Sequence, residues 1–106
     1  MNEENIEKQI QDKRLTAPRV TPDQIDSLMD DVNVHCYIVP GTTTTVATAF
    51  LSNGFTLGCE FSACASPENF DAAIGISIAK GNVLATARKK LWELEGYSLK
   101  CELDMH

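Results

Sequence analysis

Residues 43–63 read TTTVATAFLSNGFTLGCEFSA. Thr43–Leu51 and Phe55–Ala63 are rich in β-branched and aromatic residues at a period of two, and Asn53-Gly54 between them is a strong short-range hairpin signal. With a two-residue loop, Ser52 faces Phe55, Phe50 opposes Leu57, Thr48 opposes Cys59 and Val46 opposes Phe61. That register gathers large apolar side chains on one face and predicts Val46, Phe50, Leu57 and Phe61 to be buried together. The other face pairs Leu51 with Thr56, Ala49 with Gly58 and Ala47 with Glu60, and is small and partly polar.

Working outward, Val34–Val39 also alternates, with Val34, Cys36 and Ile38 on one side and His35, Tyr37 and Val39 on the other. Pro40-Gly41 then turns the chain into the hairpin. Upstream, Thr21-Pro22-Asp23-Gln24 is a capping box with proline at the first helical position, and Ile25, Leu28, Met29 and Val32 follow on one face. Residues 3–14 predict a short helix whose thin stripe, Ile6 and Ile10, needs tertiary or subunit contacts to hold it. Leu15–Thr21 is a linker, in which Pro18 keeps Ala17 extended.

Downstream, Ser66-Pro67-Glu68 starts a helix and Asn69 or Asp71 caps a slightly later one. Helical periodicity runs to about Glu95 on a stripe of Phe70, Ile74, Ile78, Leu84, Ala87, Leu91 and Leu94, with Gly96 as the expected left-handed cap. Gly81 either admits a close neighbour or breaks the helix. Tyr97–Leu103 alternates and predicts a final strand. The expected order is α-α-β-β-β-α-β. This is an α+β fold in which a small antiparallel sheet, a meander plus a C-terminal strand, packs against one long helix, with two short helices at the N-terminus. One domain over residues 1–106 is expected, with 1–20 a mobile or oligomer-forming segment. A helix of this length spans about 37 Å and a seven-residue strand about 23 Å, so the helix overhangs its sheet and points to a homodimer or higher homo-oligomer through the long helix and the N-terminal segment.

The chain of 106 residues carries nine basic and fifteen acidic side chains, a formal charge of −6. Direct nucleic-acid binding is therefore not expected. The acidic N-terminus is no signal peptide, and no apolar run is long enough to span a bilayer, so no membrane partner is expected. Cys36, Cys59, Cys64 and Cys101 form no C-x-x-C pair, and His35 and His106 are the only histidines. The cysteines read as reduced, small buried hydrophobes, with a zinc site or functional thiol as the alternative. No cofactor and no catalytic residues are assigned.

Four residues are candidates for ligand binding: Arg88, Lys89, Asn69 and Trp92. Arg88-Lys89-Lys90 is the only basic triplet. It fans over about 200° of helix, reading either as a solvated face or as a phosphate-binding edge shared with a symmetry mate, led by Arg88 and Lys89. Asn69 lies in Ser66-Pro67-Glu68-Asn69-Phe70-Asp71, a strand-to-helix junction whose free N–H groups suit an anion but whose Glu68 and Asp71 repel one. Trp92 reads as a core anchor beside Tyr97 or as a stacking platform. Thr42–Thr45 reads as a strand start or a polar pocket rim. His35 lacks a nucleophile with motif support.

Ser52-Asn53-Gly54-Phe55-Thr56, Ser62-Ala63-Cys64-Ala65-Ser66-Pro67-Glu68-Asn69-Phe70-Asp71 and Lys90-Leu91-Trp92-Glu93-Leu94-Glu95-Gly96-Tyr97 occur in order at sensible separations. On these motifs, and on Ala17-Pro18-Arg19-Val20-Thr21-Pro22, the chain resembles the small tailed-phage and prophage proteins of the gene product forty-nine / gene product sixty-six family. The resemblance covers most of the chain, which carries one extra helical turn around Gly81. It implies a phage protein in the host bacterial cytoplasm and no established activity. By association with its gene class, it implies a non-enzymatic accessory protein that acts by binding, countering host defence by engaging a host protein or sequestering an anionic nucleotide signal. A virion assembly role and a small enzyme are the alternatives, told apart by incorporation into virions and by a pocket with paired titratable groups.

Overall fold

The computed structural model describes residues 2–105; Met1 and His106, the second histidine, lie outside the described residues. Two short helices, α1 (Glu3–Asp12) and α2 (Pro22–Met29), precede three strands, β1 (Asn33–Ile38), β2 (Thr44–Phe50) and β3 (Thr56–Ala63). A 3-10 turn at Pro67–Asn69 leads into α3 (Ala72–Asp104). The sheet is an antiparallel meander, β1-β2-β3. The α+β class and the order α-α-β-β-β-α follow the sequence pattern. The caps form where the side chains demand them. Thr21 Oγ1 accepts from Gln24 N at 3.2 Å, and Asp71 Oδ1 accepts from Ile74 N at 3.1 Å.

The hairpin keeps its expected register along most of its length, including Val46↔Phe61, Ala47↔Glu60, Thr48↔Cys59 and Ala49↔Gly58. Near the turn it departs from expectation. Leu51 N donates to Phe55 O at 2.9 Å and Gly54 N to Leu51 O at 2.8 Å, closing a three-residue loop with Gly54 at φ +89°. Phe50 consequently pairs with Thr56, and β3 absorbs the offset with one extra residue, Leu57, in a bulge. Leu57 is thereby turned inward and is 1% exposed.

The buried side of the sheet is the opposite of the one expected. α3 lies on Thr45, Ala47 and Ala49, all fully buried, while Phe61 is 63% exposed on the outer face. Glu60 turns toward α3, where its Oε1 accepts from Thr86 Oγ1 at 2.9 Å. Closeness of approach decides the matter. A Cβ on Gly58 would lie 2.6 Å from Thr86 Cγ2, and one on Gly75 would lie 2.7 Å from Thr45 Oγ1. Small side chains let the two backbones approach, which large ones would prevent. The same cause corrects the helical stripe. Gly75, Ala79, Val83, Ala87 and Leu91 are buried, a row spaced by four, whereas Ile74 and Ile78 are exposed. Ile25 of α2, Val34 and Cys36 of β1, and Leu28 complete the core cluster. Cys59 and Cys101 are exposed and Cys36 and Cys64 are half-buried, so the expectation of four buried cysteines fails.

The C-terminal strand is also corrected. Residues 97–103 belong to α3, which is continuous for 33 residues and so about 50 Å long. Past Leu91, the last buried residue of α3, the helix propagates through Tyr97–Leu103 instead of breaking, with Lys100 and Asp104 paired at 3.3 Å. Gly96 does not cap, and Gly81 does not break the helix; each faces open space. The molecule is correspondingly long, 56 × 29 × 19 Å.

Candidate functional site

Two surfaces carry the chemistry of this molecule. The first is where α1 meets α2 and α3. Glu3, in the first turn of α1, accepts from Arg88 Nε at 2.8 Å, from Arg88 Nη2 and from Trp92 Nε1 at 2.9 Å. Arg88 Nη2 also lies 2.8 Å from Asp26 Oδ1. Arg88 and Trp92 sit one turn apart on α3, so a single carboxylate reaches both. The arginine, by its hydrogen bonds, holds the Glu3 carboxyl below the ordinary glutamate range, and Glu3 in turn raises the arginine's already high value. Beneath α1 is an apolar cavity of about 240 Å³ lined by Ile6, Ile10, Val20, Pro22 and Trp92, with Glu3 and Glu7 at its border. Glu7 pairs with Arg19 in the linker.

Of the four candidate residues, the fold brings Arg88 and Trp92 together on this junction. Arg88 meets two carboxylates there, which leaves little net positive charge to offer an anion. Lys89, one position along α3, is exposed and turned about 100° from Arg88. Asn69 is elsewhere. It lines a groove of about 220 Å³ at the other end of the molecule, with Cys64, Phe70, Ile74 and Ile78.

The second surface is the open face of the sheet. The register sets Tyr37, Val46 and Phe61 side by side in one cross-strand row, with Tyr37 48% and Phe61 63% exposed. The adjoining row is His35, Thr48 and Cys59. Thr48 Oγ1 lies 3.6 Å from Cys59 Sγ, and the His35 and Tyr37 rings are 6.2 Å apart. Glu60 is the only charged residue within the three strands, and it points to α3. The outer face thus carries no Asp, Glu, Lys or Arg at any outward position, and its Tyr37–Val46–Phe61 row is apolar beside the more polar His35–Thr48–Cys59 row. The sequence pattern pairs Val46 with Phe61 but places that pair inside, and gives no sign of Tyr37 beside them. The signal that locates it outside is the run of small residues on the opposite face, Ala47, Ala49 and Gly58, which only a close-packed helix would require.

Among the described residues, no group of three or more His, Cys, Asp or Glu side chains is arranged to hold a metal ion, and no helix is long and apolar enough to cross a membrane. No curated protein and no solved structure matches the chain. The profile of the phage protein (N4 Gp49/phage Sf6 gene 66) family matches residues 20–103, which takes in α2, the whole sheet and all but the tip of α3. The chain belongs to the phage protein (N4 Gp49/phage Sf6 gene 66) family.

Proposed function

We propose that this phage protein is a non-enzymatic accessory factor that acts by binding inside the infected host cell, countering host defence by engaging a host protein. The observation that supports this reading is the Tyr37–Val46–Phe61 row, an exposed apolar strip on a sheet face without an outward charge. Exposed apolar patches rimmed by polar residues are characteristic of protein interaction sites, and aromatic residues dominate their energetics. A host partner with an apolar, uncharged surface of its own fits this strip. Capture of a nucleotide signal is less well supported, because Arg88 is occupied by Glu3 and Asp26.

The test is affinity purification of tagged protein from infected cells, comparing the natural chain with Phe61→Asp. One host protein recovered in stoichiometric amount by the natural chain and lost with the variant is the expected result. Phage yield on the same host should fall with the variant. Equal recovery by both proteins would overturn the assignment to this face. A nucleotide extracted from the purified protein would overturn the choice of a protein partner. Presence of the protein in purified virions would replace the accessory role with an assembly role.

A further inference from the structure

Leu91 is the last buried side chain of α3, and the helix continues to Asp104, about 20 Å further. Residues 100–105 are all exposed, and Tyr97, Leu103 and Met105 expose large apolar surface there. A projecting helix with apolar residues around its circumference is marginal in water unless something covers it.

We propose that two copies of this chain pair through this overhang as an antiparallel helix pair. Trp92, Gly96, Leu99 and Leu103 follow one another at intervals of four, three and four, which places them on one face. One flank of that face carries Lys89, Glu93, Lys100 and Asp104. In an antiparallel pair this flank meets its own copy in reverse. Glu93 then faces the partner's Lys100, and Lys89 faces the partner's Asp104, both in the same register. That register also sets Gly96 beside the partner's Leu99 and Trp92 beside the partner's Leu103. A Cβ on Gly96 would meet nothing within 4 Å beyond its own helix backbone, so its surface is open to receive a leucine. Trp92 lines the apolar cavity beneath α1, and the partner's Leu103 arrives at its border. A parallel pair would set each of these charges against its own copy. The opposite flank, with Glu95 and Glu102, faces water. Among the described residues of one chain, Glu93 pairs with Lys90, at 3.6 Å, and Lys100 with Asp104, at 3.3 Å. Such exposed pairs along one helix contribute little and leave the four side chains free to exchange partners.

Light scattering at micromolar concentration should give twice the 11.6 kDa of one chain. Glu93→Lys and Lys100→Glu should each weaken the dimer roughly tenfold, because two-fold symmetry repeats every like-charge contact. The double variant Glu93→Lys/Lys100→Glu should restore it to within about threefold of the natural protein. Leu103→Asp alters a side chain exposed in the single chain, and should give an 11.6 kDa species with unchanged circular dichroism. Three outcomes would overturn the proposal. The natural chain could be monomeric, the double variant could stay as weak as the singles, or the dimer could survive these changes and be lost with Phe61→Asp, which would move the interface to the sheet.

Discussion

At Gly75, packing and helix propensity oppose each other. Alanine favours a helix by about 1 kcal/mol over glycine, but here its Cβ would sit 2.7 Å from the Oγ1 of Thr45. Thr45 has no exposed surface, so something must shift, and overpacking of this kind costs about 1–3 kcal/mol. Gly75→Ala is expected to lose about 1 kcal/mol net and to lower Tm by roughly 5 °C; an unchanged or higher Tm would show that the contact yields. Glu3 makes a second prediction. Arg88 above all, with help from Trp92, holds its carboxyl below the ordinary value. The stabilisation is therefore complete above the unfolded value, about 4.3, and is lost as pH falls through the lower folded value. Trp92 is the only tryptophan, so acidification should change its fluorescence before the far-ultraviolet dichroism changes. Glu3→Gln should show that altered emission already at neutral pH, and identical spectra for the two proteins at pH 7 would refute the contact.

The elements show which parts of the fold the sequence makes legible. The capping box at Thr21 and the alternation of β1 and β2 are local features, and each element forms where they place it. Asn53-Gly54 marks the turn, but a three-residue loop and a bulge at Leu57 offset one another, so the far register survives a misread loop. The buried face was not legible from side-chain size. Phe61 and Val46 carry more apolar surface than Ala47 and Ala49, yet the helix docks where it can come closest. Nor was the end of α3, since Tyr97–Leu103 alternates like a strand and is helical as the continuation of the helix before it. The Glu3–Arg88 contact links residues 85 positions apart, a separation at which no local pattern operates. Continuity of α3 through Gly81 has a direct check. Because Gly81 faces open space, Gly81→Ala should stabilise by about 1 kcal/mol and raise Tm by roughly 5 °C. A fall would indicate a break in the helix.

Over the whole molecule, an uncharged sheet face lies on one side, a charged helix covers the other, and the projecting end of that helix extends the long axis. On this arrangement Phe61→Asp should leave the unfolding free energy within about 0.5 kcal/mol of the natural value, since that side chain is largely in solvent, while removing partner recovery. The sequence motifs indicate the phage family, whose profile covers most of the chain, but not the working surface, because that depends on which side of the sheet the helix takes. The seam between them is built largely from glycine, alanine, threonine and valine, with Leu57 and Leu91 as its larger members. So smooth a seam fixes the distance between helix and sheet, but offers few protrusions to stop one from sliding along the other. The Thr86–Glu60 hydrogen bond, at 2.9 Å, acts as a locating pin along that direction. Removing the pin should cost uniqueness before it costs stability. Thr86→Val should keep Tm within a few degrees while broadening amide resonances along β3 and the facing turns of α3, and sharp, singly populated spectra would show that the seam locates itself without it.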